Sequence, residues 1–122
     1  MKNLGTQNVE ISNTGAVLDD DGKLGKCYSF DGIDDRLLFA PDVDGLEAVT
    51  MALWVYPSSI NTGKTLLSLE YNSTWQMSLL DTKLAIRDDA SGRSGTRKDF
   101  TYSGLVANTW NHIIAIYNKG TI

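Results

Sequence analysis

The chain is 122 residues long, 42% hydrophobic and 21% charged: apolar material for the core of one domain, and too little length for two. Its net charge of -4 argues against a module that binds a nucleic-acid backbone, which needs a basic footprint to displace counterions. One cysteine excludes an intramolecular disulfide, and together with one histidine it leaves too few soft ligands for a protein-only structural zinc site.

The first eight residues lack the apolar core of a signal peptide, and no apolar run approaches the ~20 residues that span a bilayer. The expectation is a soluble chain, not inserted in a membrane and not addressed for secretion. Apolar residues never recur at helical spacing for long enough to make a helix, whereas short β-branched and aromatic runs recur between turn signals. Strands are predicted over 8–12, 26–30, 36–39, 49–56, 65–70, 75–80, 83–87, 99–102 and 111–117. Asp31-Gly32, Pro57-Ser58-Ser59, Asn61-Thr62-Gly63 and Asp81-Thr82 supply the turns, and 88–95 reads as a polar connector. Asp19-Asp20-Asp21 reads as a solvated bend.

Two of these strands dictate the architecture. In 49–56 the odd positions are apolar and the even ones include Ala52, Trp54 and Tyr56, and 113–117 is apolar on both sides as well. Strands that want cover on both faces sit centrally in a sheet backed by another layer, and without helices that layer is a second sheet. The two-residue link Asp81-Thr82 makes 75–80 and 83–87 a hairpin. The reading is all-β, a two-sheet antiparallel β-sandwich of a single domain.

The acids are twelve Asp against three Glu, which favours turns over long surface helices. Residues 1–50 carry a net -6 and residues 51–122 a net +2, so the first part is the one suited to a cation, calcium above all.

Three blocks carry more than pattern: Gly22-Lys23-Leu24-Gly25-Lys26-Cys27-Tyr28-Ser29-Phe30-Asp31-Gly32-Ile33-Asp34-Asp35-Arg36-Leu37, then Val49-Thr50-Met51-Ala52-Leu53-Trp54-Val55-Tyr56-Pro57, then Asn108-Thr109-Trp110-Asn111-His112-Ile113-Ile114-Ala115-Ile116-Tyr117. In order and approximate spacing they resemble the concanavalin A-like, laminin-G-like jelly-roll family, from about Asn13 to the end of the chain. The resemblance implies a jelly-roll β-sandwich used to bind glycans or protein and cell surfaces, sometimes with one calcium ion. It implies an extracellular, cell-surface or virion setting within a larger assembly, the bacteriophage virion fitting best. Such domains continue past the Trp-x-His strand into further strands. The chain is therefore expected to be the front part of a larger domain lacking its C-terminal closing strands, or to be completed by another chain. Within the blocks, Phe30 is expected to face inward, Trp54 to be a buried anchor, and Trp110 to cover one end of the sandwich with His112 hydrogen-bonded in that corner.

Two sites follow. Asp31, Asp34 and Asp35 crowd one turn, as a hard cation requires, and the resemblance implies metal ligands there and in an N-terminal Asp-bearing loop. Here that loop reads Ile11-Ser12-Asn13-Thr14-Gly15 without the aspartate, and the same three carboxylates also serve as turn formers that accept backbone N–H groups. For a sugar, Tyr71, Asn72 and Trp75 offer an aromatic face beside polar side chains, the competing role of Trp75 being to pack into the sandwich. Catalysis finds no constellation: His112 belongs to the Trp110 corner, Cys27 lies within a strand, and Glu10, Glu47 and Glu70 are scattered singly. The expected function is a non-enzymatic binding or adhesion module for a glycan or cell-surface ligand. The alternative is a structural or decoration protein that contacts other virion proteins and has no sugar site.

Overall fold

Short β-branched runs cut by Gly, Asp and Pro leave no room for a helix. The computed structural model describes residues 10–38, 48–60, 63–69, 75–80, 83–88, 96–101 and 104–118, and among them are ten strands and no helix. The chain divides into two compact units, Met1–Asp42 and Val43–Ile122.

The first unit holds β1 (Ser12–Thr14), β2 (Val17–Gly22), β3 (Gly25–Ser29) and β4 (Arg36–Leu38). β1 pairs antiparallel with β4, from Ser12 opposite Leu38 to Thr14 opposite Arg36. β2 and β3 form a hairpin that closes at Gly22 opposite Gly25, with a register shift between Asp19 and Gly22. A Cβ at Gly22 would run into the Gly25 carbonyl oxygen and the Lys26 backbone, so only glycine lets the two strands approach this closely. The aspartates read as a bend therefore lie inside β2. The hairpin tolerates them because all three stay exposed: Asp19 Oδ1 accepts the Asp21 N–H at 3.0 Å and Asp20 pairs with Lys26. Phe30 is 50% exposed just beyond β3 rather than inward, and Ala16 is the one buried apolar residue described in this unit.

The second unit holds β5 (Ala48–Val55), β6 (Lys64–Leu69), β7 (Trp75–Leu80), β8 (Lys83–Asp88), β9 (Thr96–Thr101) and β10 (Asn111–Asn118). β6 to β9 form a four-stranded antiparallel sheet in chain order, and the expected β7–β8 hairpin closes at Leu80 opposite Lys83. β9 starts three residues earlier than its apolar content suggests, because Thr96 and Arg97 continue the ladder opposite Asp88 and Arg87. Burial on both faces falls to β7: Met77 is fully buried, Leu79 nearly so, and Ser78 on the opposite face is buried as well. Ser78 is flanked in register by Thr65 and Ala85, a line of small residues, with the Thr65 and Ser78 hydroxyls 3.4 Å apart. Burying Met77 and Leu79 contributes about 1.5–3 kcal/mol each before entropy costs.

β5 and β10 pair antiparallel along their full length, from Ala48 opposite Asn118 to Val55 opposite Asn111. They are covered on one face only, which corrects the expectation of two-sided burial. Val49, Met51, Asn111, Ile113 and Ala115 are buried, while Thr50, Ala52, Trp54, His112, Ile114 and Ile116 on the other face are exposed. The molecule is thus all-β and built of several antiparallel sheets, consistent with a β-sandwich.

Candidate functional site

The exposed face of β5 and β10 ends in a cluster of rings. Trp54 and His112 are register partners, so period-two alternation puts both on the outer face, where they stack with centroids 4.6 Å apart and planes 17° from parallel. One step further, Tyr56 and Trp110 meet edge to face at 5.6 Å and 67°. Trp54 is 39% exposed and Tyr56 51%, with Trp110 half-buried. Trp54 is therefore not the buried anchor expected from its strand. His112 likewise meets an indole face in the corner where a hydrogen bond was expected.

Asn111, which sequence reasoning passed over, fixes this corner. Its Oδ1 accepts the Val106 N–H at 3.0 Å, and its Nδ2 donates to the carbonyls of Val106 at 2.9 Å and Thr109 at 2.8 Å. The Asn108 N–H donates to the Pro57 carbonyl at 2.8 Å, and Asn108 takes the left-handed conformation (φ 57°) that asparagine tolerates better than most residues. The approach to Trp110 is thus bonded on both sides. The available signal was an asparagine opening an apolar strand, since a buried amide there needs partners of its own.

In the first unit, Asp31, Asp34 and Asp35 do converge, each offering an oxygen within 4.8 Å of the others. Oxygens that share a calcium ion at 2.3–2.6 Å lie no more than about 5 Å apart, so the spacing suits a hard cation. Two of the carboxylates also shape the turn: Asp31 Oδ1 accepts the Ile33 N–H at 2.7 Å and Asp35 Oδ2 accepts the Asp31 N–H at 2.8 Å. Gly15, at φ 78°, lies so close to Asp35 that a Cβ there would collide with Oδ1. The N-terminal loop therefore meets the aspartate turn, and Asn13 closes that loop by donating Nδ2 to the Ala16 carbonyl at 2.7 Å.

Tyr71 and Asn72 lie outside the described residues. Trp75 opens β7 opposite Leu69 and Asp88, and its side chain is likewise outside them. Cys27 is half-buried in β3, where partial burial and the nearby Asp19 and Asp21 push its thiol up, away from thiolate chemistry. No family model, curated protein or solved structure matches the chain.

Proposed function

We propose that the chain is a non-enzymatic binding module for glycans or a glycan-bearing surface, on a β-sandwich of the jelly-roll kind. The observation that carries this reading is the ring cluster at the end of one sheet face, in which Trp54, His112 and Tyr56 are exposed and Trp110 is half-buried. Trp54 lies near the end of β5 and Tyr56 directly follows that strand, both exposed, close enough in the chain for adjoining rings of one short oligosaccharide. An indole or phenol face stacks on the C–H face of a pyranose, while neighbouring polar edges bond its hydroxyls. Such a module works at a surface, that of a virion or the outside of a cell, within a larger assembly.

The second reading, a structural or decoration protein, is favoured by exposed Ile114 and Ile116 on the same face. Two eight-residue strands offer a flat footprint of about 27 by 10 Å, roughly 270 Å² before side-chain relief is added, whereas a stable protein interface buries about 800 Å² of accessible surface per partner. That area suits a small ligand better than a second protein.

On a glycan array, the wild-type chain is expected to bind and Trp54→Ala to lose about tenfold in affinity, ~1.4 kcal/mol, with Tyr56→Ala similar. Absence of binding to every glycan, with and without calcium, together with incorporation into particles, would replace this reading by the structural one.

Calcium enters the proposal at Asp31, Asp34 and Asp35, with Asp34 contributing a carboxylate that takes no part in the two turn bonds. Ion at ten times its dissociation constant is expected to stabilise the fold by ~1.4 kcal/mol. Asp34→Asn is expected to remove that response while keeping the turn. Equal unfolding midpoints in calcium and in chelator would leave the three aspartates as turn formers only.

A further inference from the structure

Trp54 stands one residue from the end of β5, and its two flanks differ. Two residues back on the same exposed face is Ala52, a single methyl that gives an indole little to lean on. Across the pair is His112, also exposed, with its ring centroid 4.6 Å from that of Trp54 and its plane 17° from parallel. Neighbouring strands lie about 4.7–4.9 Å apart, so the two rings continue the spacing of their backbones outward from the sheet, face against face.

An aromatic pair of this kind is worth a factor of about 2–12 in an equilibrium constant. That factor acts on the rotamer of the indole, because an exposed side chain spreads over several staggered wells unless a contact favours one of them. The imidazole is the smaller ring and covers only part of its partner, so Trp54 keeps 39% of its surface in water while its orientation is held.

We propose that His112 is a positioning residue that holds the Trp54 indole in the orientation from which it meets a pyranose, and so acts on the ligand through that ring. The inference rests on the glycan-binding reading and adds how its central ring is made ready. Ordering a side chain is part of the cost of association, and a ring ordered beforehand spares the complex that cost. The saving belongs to the protein, so it is the same for every glycan that uses Trp54.

The chain has a single histidine, so its imidazole C–H proton resonances identify themselves. In the ligand-free chain the ring current of the stacked indole is expected to move them upfield. Trp54→Ala, compared at the same pH, should return them to the position of an exposed histidine, and nuclear Overhauser contacts between the two rings check the stack without a substitution. Binding is then read on a glycan array from concentration series of the wild type, His112→Ala and His112→Phe. His112→Ala is expected to weaken every bound glycan by about threefold. His112→Phe keeps a flat ring opposite Trp54 without ring nitrogens, and it should restore affinity to within about twofold of the wild type. Imidazole resonances that show no contact with the indole and stay in place in Trp54→Ala overturn the inference whatever the array shows. A loss confined to some glycans, or one that phenylalanine does not restore, makes the ring nitrogens direct ligand contacts and overturns the positioning role. Undiminished binding by His112→Ala overturns it as well and leaves the platform standing. A stacked imidazole in a chain that binds no glycan overturns the platform reading, and the role assigned to the stack falls with it.

Discussion

Asn111→Ala is expected to destabilise the chain by about 2–4 kcal/mol. Three hydrogen bonds end on this one buried amide, and each is worth about 0.5–1.5 kcal/mol net, with a further cost wherever the partners left behind stay dry. Val106 is 55% exposed, so water reaches part of what is released and holds the total below the sum of three full desolvation penalties. Asn111→Asp separates hydrogen bonding from shape. It keeps an acceptor for the Val106 N–H, loses both donations, and sets a carboxylate oxygen against two carbonyl oxygens, so it should be at least as damaging as alanine. Urea unfolding checks both variants, and amide exchange at Val106 and Asn108 should speed up before global unfolding does. A cost below about 0.5 kcal/mol for alanine would mean that this approach to Trp110 is held by something other than Asn111. The same variant bears on function, because Thr109, which Asn111 bonds, leads directly into Trp110 of the ring cluster.

The all-β class was legible because turn residues interrupt every apolar run before it reaches helix length. The β7–β8 hairpin was legible because two residues between two strands admit hardly any other geometry. Which face of a strand is covered was not. In 49–56 and 113–117 both alternating sets are apolar or aromatic, so period two identifies the strand without saying which side meets the core. That ambiguity placed Trp54 inside, and with it hid the ring cluster. β2 was missed for the opposite reason: three consecutive aspartates have poor strand propensity, yet on an exposed hairpin every carboxylate keeps its water and Asp20 gains Lys26. The convergence of Asp31, Asp34 and Asp35 was visible from spacing alone, since a turn of five residues brings its ends together.

Met77→Ala is expected to cost about 2–5 kcal/mol, the range for truncating a long buried side chain in a core that collapses only in part. Met77 is fully buried on the most enclosed strand, opposite Leu67 in β6 and Ile86 in β8, so the void opens in the middle of the four-stranded sheet rather than at its rim. The informative comparison is Ile116→Thr. Ile116 is 65% exposed, threonine keeps the β-branch that suits a strand, and the change should stay within about 0.5 kcal/mol. Register places Ile116 opposite Thr50 on the face that carries Trp54 and Ile114, so its cost measures how much of that face is withdrawn from water. A loss above about 1.5 kcal/mol for Ile116→Thr would mean that the face is covered in the folded protein and unavailable to a glycan. A large effect at Met77 beside a negligible one at Ile116 leaves β10 with one buried side and one open side, the arrangement on which an exposed platform at Trp54, His112 and Tyr56 depends.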